Sequence, residues 1–348
     1  MKPTVRRILL TAPAWISLAA CDSSISTFDP LDATQSAGAV VAAMQQSPAF
    51  QSLSVLGDDI TVSAPPAPAV RAALPDERFW RGQLAEWARA AVTSLEASGP
   101  LAIAAPIFPS DLLGKTFTYN LSLSRYEVST QAGAPAAGVR FILYAVNIAS
   151  RSVQQPLNPI GHLDLTDLSN ATAAILGVKV VINNATLLDY NASASFATGS
   201  IAFSADGSIS DGQTSVEFGL TQTIASGPTI TLDYQLAVPE EQVGLDLLAT
   251  ITPSDTDVNL TIEYDGNTTI VHAEGNDDAI TGVITHNGIL VINIAGTPDE
   301  PVFTDPSGNT LSAAQLAALE QLFDSTDDLL DAFDDLLGPA HRLLGIPL

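Results

Sequence analysis

From residue 114 to residue 296 the apolar side chains recur at every second position, and nothing long enough to be a helix interrupts them. That stretch limits the fold more than any other feature of the chain. Phe117, Tyr119, Leu121 and Leu123 alternate with Thr118, Asn120 and Ser122. Ile230, Leu232, Tyr234, Leu236 and Val238 alternate with Thr229, Thr231, Asp233 and Gln235, and Val258, Leu260, Ile262 and Tyr264 with Asn259, Thr261 and Glu263. A period of two puts successive side chains on opposite faces of a strand. Residues 139–148 are apolar on both faces, the pattern of a central strand; 161–168 and 178–182 read as further strands. Asp265-Gly266 and Asn287-Gly288 are tight-hairpin dipeptides, the second joining 280–285 to 289–294. About eleven to thirteen strands result, with no fixed-period repeat. Strands this closely spaced are expected to pair antiparallel. Open sheets seldom exceed about ten strands without curling or splitting. The expected fold is therefore α+β, mainly β: a large curled antiparallel sheet forming a half-barrel, a barrel or a sandwich.

Helical spacing appears only at the two ends. Residues 31–46 are rich in Ala, Val and Met, and Pro48 is expected to stop that helix. Residues 64–68 form a stiff proline linker. Pro75 and Asp76 open a second helix and Gly99-Pro100 close it; Trp80, Leu84, Trp87, Ala91 and Leu95 lie on one face, suited to a helix–sheet seam. In the last helix Ser312 and Gln315 have capping-box spacing, and Gly338-Pro339 read as a stop. Leu316, Leu319, Leu322, Phe323, Leu329, Leu330, Phe333, Leu336 and Leu337 fall within an arc of about 160°. Glu320, Asp324, Asp327, Asp328, Asp331, Asp334 and Asp335 hold the opposite arc, with no lysine or arginine to offset them. Like charges four apart destabilise a helix, so this one must be held by its apolar face against the sheet.

The amino terminus carries Lys2, Arg6 and Arg7, then an apolar run over 8–18. That run is well short of the ~20 residues a spanning helix needs. It ends in Leu18-Ala19-Ala20-Cys21, and this segment resembles the signal of bacterial lipoproteins, the lipobox. The resemblance covers residues 1–21. It implies that Cys21 becomes the first mature residue and carries acyl chains such as palmitate. It also implies a mature domain outside the cytoplasm, tethered to the inner or the outer membrane of the cell envelope. The expected organisation is a signal peptide over 1–20, a tether over 21–29 and a helical segment over 30–105. An antiparallel β domain follows over 106–300, then a C-terminal helix within 301–348 packed on the sheet.

Loss of residues 1–20 leaves ten lysines and arginines against 38 acidic residues, a net charge of −28. Such a chain repels phosphate backbones and excludes nucleic acid as a partner. Cys21 is the single cysteine, so once it is acylated neither a disulfide nor a catalytic or metal-binding thiol remains. His162, His272, His286 and His341 show no i, i+3 or i, i+4 pairing, and His272 is expected opposite Gly282. Nucleophile-elbow, S-x-x-K, G-x-G-x-x-G and Walker patterns are absent. No catalytic, cofactor-binding or metal residue is assigned, and a non-enzyme is expected. Asp255, Asp257 and Asn259 match the first three positions of a calcium loop. Leu260 and Gly266 stand where that loop needs glycine and glutamate. Asp206 to Gly212 and Glu274 to Asp278 are the other acidic stretches; tight turns account for all three, and calcium is a minor expectation. Two readings of function stay open: a carrier of an apolar ligand in a sheet concavity, or a structural protein that recruits an envelope partner.

Overall fold

The computed structural model describes residues 38–60, without Ala39 and Ala43, and 106–344, without Thr198, Ser226, Pro228, Asp277 and Asp299. The signal region with Cys21, the tether, the proline linker and the helix expected over 75–99 lie outside the described residues.

Among the described residues seventeen strands follow one another with few interruptions. The first group is β1 (Lys115–Asn120), β2 (Arg125–Ser129), β3 (Gly138–Tyr144), β4 (Val146–Asn147), β5 (Ser152–Val153) and β6 (Pro159–Asp167). The long strands are β7 (Ala173–Ile182), β8 (Ala185–Ala197), β9 (Ser200–Ser210), β10 (Ser215–Ala225), β11 (Thr229–Val238) and β12 (Val243–Ile251). They are followed by β13 (Thr256–Tyr264), β14 (Asn267–Gly275), β15 (Ile280–His286), β16 (Ile289–Gly296) and β17 (Pro301–Thr304). Fifteen of them form one sheet in the order β2-β1-β3-β6-β7 and then consecutively to β17; β4 and β5 make a separate ribbon. The sheet neither splits nor closes, so of the three expected shapes it takes the open, curled one.

Every pairing in the large sheet is antiparallel except one. β1 and β3 run parallel, Lys115 opposite Val139 and Phe117 opposite Phe141. The expectation of purely antiparallel pairing fails here because β2 returns the chain, and residues 130–137 then carry it to the other side of β1. A return strand does the work usually left to a crossover helix. Both singled-out dipeptides make hairpins with positive φ at each position: 46° and 76° at Asp265-Gly266, 49° and 76° at Asn287-Gly288.

Helical residues through Gln46 are followed by α1 (Pro48–Leu56). Pro48 ends one helix and begins another; at the first helical position its missing N–H is no loss. Ser47 between them donates its hydroxyl to Ser210 O at 2.7 Å and ties the pair to the end of β9. The last helix, α2 (Ala313–Leu344), has 32 residues and begins with the expected capping box. Ser312 N–H donates to Gln315 Oε1 at 3.0 Å, and Gln315 N–H donates to Ser312 Oγ at 3.3 Å. The stop expected at Gly338-Pro339 does not occur. Residues 336–341 are all buried, and Arg342 donates to Gly57 O, so tertiary contacts hold the turn that Pro339 weakens. The side chains of Asp327, Leu329, Leu330, Asp331, Asp334 and Asp335 lie outside the described set. Among the described residues no helix is long and apolar enough to cross a membrane.

α2 lies across the strands, not along them. Phe323 meets Phe303 of β17, Phe333 meets Phe218 of β10 and Tyr234 of β11, and His341 meets Phe203 of β9. Ten residues separate Phe323 from Phe333, about 15 Å of helix. The strands they touch are six or seven spacings apart, about 29–34 Å along the sheet. A chord so much shorter than its arc requires β10–β17 to curl around the helix. The inner face is therefore filled: Tyr190, Phe203 and Phe333 are each no more than 2 % exposed.

Candidate functional site

Strand register aligns side chains into rows, and on the outer face one row crosses most of the sheet. It runs Arg140, Asp164, Lys179, Asp189, Ser208, Glu217, Ala237, Gly244 and Glu263. Its first four members alternate in sign and neutralise one another. Arg140 Nε and Nη2 donate to Asp164 Oδ1 and Oδ2 at 2.6 and 2.7 Å, a two-pronged pair, and Lys179 Nζ donates to Asp189 Oδ2 at 2.9 Å. Past Asp189 the row holds only carboxylates and small residues. The chain has no lysine or arginine between Lys179 and Arg342.

Beside this row lies a second: Asp206, Gly219, Gln235, Asp246 and Thr261. Gly219, Ala237 and Gly244 bring little or no side chain to the surface, and an open groove of about 680 Å³ results across β9–β13. Glu217, Asp246 and Glu263 form its rim. Glu263 leans toward the gap, its Oε2 3.5 Å from where a Cβ on Gly244 would sit. Partial desolvation in the groove, then the charges of Asp233 and Glu263, raise the Asp246 carboxyl above its ordinary range. Glu217 and Glu263 are three strand spacings apart, about 14 Å. They cannot close on one ion, but each can accept hydrogen bonds from a separate donor.

A raised carboxyl pKa means that the folded state binds the proton more tightly than the unfolded chain. Asp246 therefore weakens the fold as pH climbs from the unfolded value of about 3.9 through its own, and has no such effect below that window. Asp246→Asn is expected to raise the urea midpoint slightly at about pH 7 and to leave it unchanged near pH 3. Curves that stay parallel across that range would show that the charge is not the cause.

The histidines are scattered. His162, half-buried, has Nε2 3.7 Å from Asp164 Oδ2; burial, then the Arg140 guanidinium, lowers its proton affinity, and Asp164 raises it. His272 lies opposite Val283, one position from the Gly282 expected for it. Its ring nitrogens are 3.8 Å from Asp257 Oδ1 and 3.3 Å from Glu274 Oε1. His286 Nδ1 is 3.0 Å from Thr269 Oγ1, and His341 is buried against Phe203, ring centres 3.8 Å apart. Among the described residues no three His, Asp or Glu side chains are placed to hold a metal ion.

Two of the acidic stretches contain turns and the third is mostly strand. Asp211 accepts the N–H groups of Gln213 and Thr214 at 2.8 Å each, and those bonds, Thr214 first, hold its carboxyl below the usual range. Asn276 Oδ1 accepts from Asp278 N–H and Ala279 N–H, both at 2.9 Å. Asp206, grouped with the turns on sequence, sits inside β9 opposite Gly219. Asp257 and Asn259 are already strand residues, two apart on the outer face of β13, and do not wrap a loop.

Sequence reasoning did not find the groove. Its local traces are Glu217-x-Gly219 and Gly244-x-Asp246, each an acid beside a glycine on the same strand face, and only the register brings them together. No protein family, curated protein or solved structure matches the chain.

Proposed function

We propose that this chain is a non-enzymatic lipoprotein of the bacterial cell envelope, held to the inner or the outer membrane through acyl chains on Cys21, whose sheet body serves as a structural and protein-interaction module. The lipobox-like Leu18-Ala19-Ala20-Cys21 supports the anchor. One observation carries the choice between the two bodies considered above. The inner face, where a carrier would place an apolar ligand, is occupied by the chain's own helix, with Phe333 seated against Phe218 and Tyr234 and with Leu336 fully buried. Carriage of a ligand there would require α2 to leave. Among the described residues the outer face stays open and acidic, and the interaction reading uses it.

The test expresses the full chain in bacteria fed an alkyne analogue of palmitate. Wild-type protein is expected to take up the label and to fractionate with membranes; Cys21→Ser is expected to do neither. An organic extract of the purified Cys21→Ser protein is expected to hold no stoichiometric apolar molecule by mass spectrometry. An unlabelled wild type would overturn the anchor, and a co-extracted ligand would restore the carrier.

A further inference from the structure

We propose that the outer-face groove over β9–β13 docks an extended segment of a protein partner carrying lysine or arginine at positions four apart. The proposal rests on the interaction reading above and names the partner's chemistry.

Shape, spacing and charge agree on this occupant. The floor at Gly219, Ala237 and Gly244 is backbone and one methyl group, a surface on which the aliphatic stem of a long cationic side chain can lie while its head stays at the rim. The volume, about 680 Å³, falls within the range of sites that hold small ligands or short peptide segments. The strand positions of Glu217 and Glu263 are about 14 Å apart, and residues i and i+4 of an extended chain, on the same side of it, are separated by nearly the same distance at about 3.4 Å per residue. Two cations on such a segment, crossing the strands, meet one rim acid each, and Asp246 accepts from either.

The row itself shows what is missing. Among the described residues, the row's acids over β3–β8, Asp164 and Asp189, each have a cation from within the chain; over β9–β13 the acids continue and the cations stop. A second copy of this chain is a poor donor, since after residue 20 its sequence holds no two lysines or arginines four positions apart. A bound calcium ion needs oxygens at about 2.3–2.6 Å on all sides, and among the described residues no three acids are placed to hold one ion. Nucleic acid is repelled.

The experiment uses the mature protein and a fluorescein-labelled peptide with two arginines four positions apart in a serine–glycine background. A matched peptide has the arginines adjacent. Binding is read by anisotropy at about 0.15 M salt, where long-range attraction between exposed charges is largely screened. The spaced peptide is expected to bind more tightly than the adjacent one. The pair Glu217→Gln/Glu263→Gln is expected to weaken it about tenfold, which is about 1.4 kcal/mol. The pair Asp324→Asn/Asp328→Asn, with the same charge change on α2, is expected to leave the affinity within about twofold. Circular dichroism confirms that both variants are folded.

Equal losses from the two pairs would reduce the effect to bulk charge and overturn the proposal. So would equal binding of the two peptides, displacement by one equivalent of calcium, or no binding. None of these results bears on acylation of Cys21, so failure of the groove and failure of the lipoprotein reading are distinguishable.

Discussion

Phe333→Ala is expected to destabilise the protein by about 3–5 kcal/mol, the usual range for deleting a buried phenylalanine side chain. Phe333 is 2 % exposed, with ring centres 5.5 Å from Phe218 and 6.2 Å from Tyr234. Those two residues belong to adjacent strands, β10 and β11. The ring is thus the midpoint at which α2 is pressed into the curve of the sheet. Among the described residues the capping box at Ser312 and Gln315 is the local support the helix has. The acids described on its outer side, Asp324 and Asp328, repel one another, and the helix depends on apolar contact with the strands. Truncation should therefore loosen the whole helix and leave more than a cavity. Urea unfolding followed by circular dichroism checks the free energy, and binding of an apolar dye checks exposure of the inner face. Phe333→Leu, which keeps most of the apolar volume, should lose far less. If the alanine variant unfolds within about 1 kcal/mol of the wild type and binds no dye, the helix is not held there.

Gly207→Ala is expected to cost about 2 kcal/mol or more, although it adds a single methyl group. A Cβ at Gly207 would lie 2.2 Å from Asp189 O and 2.3 Å from Tyr190 Cβ, both on the neighbouring strand β8. Backbone cannot swing aside as a flexible side chain can, so β8 and β9 would have to part. The disturbance would not stay local. Tyr190 is buried, and its hydroxyl donates to Leu336 O of α2 at 3.3 Å. Burial drives the phenol's pKa far above its usual value, so it stays a neutral donor at any working pH. Pushing Tyr190 shifts the helix as well as the strand. Hydrogen exchange should quicken in β8, β9 and the second half of α2 together. Ser208→Ala, the next residue along and on the outer face, should change stability by less than about 0.5 kcal/mol. An alanine variant as stable as the wild type would mean that the two strands are not so close.

Part of the sheet was legible because some of its strands carry their own evidence. Alternation in β11 and β13 marks the face, and Asp265-Gly266 and Asn287-Gly288 mark the turns. The turn at Asn183-Asn184, with φ of 50° and 66°, is of the same kind and went unmarked, because asparagine enters the left-handed region less freely than glycine. β17 was missed since four residues are too few to show a period. The parallel pairing of β1 with β3 depends on which side of β1 the chain returns to, and no local residue states that. Pro48 stops the first helix as expected, but Pro339 does not stop the last: a proline shows where a helix is weakened, and contacts from far along the chain decide whether it ends there. At Pro339 that contact is Arg342 reaching Gly57. The groove was invisible for the same reason, since its three acids come from three strands. His272 was misplaced by one position because the length of the turn before β15 sets the offset.

From β7 onward every strand of the large sheet lies beside its predecessor in the chain, while α2, which packs on β9, β10, β11 and β17, comes after all of them. A polypeptide made from its amino end can zip up strand by strand as it emerges, with short loops to close at each step. Yet until residue 313 and beyond have been made, the greasy surface that α2 will cover waits bare. Newborn molecules of this protein are thus most vulnerable to sticking together just before synthesis finishes, and a chain cut short near its end should be a worse aggregator than one cut short in the middle.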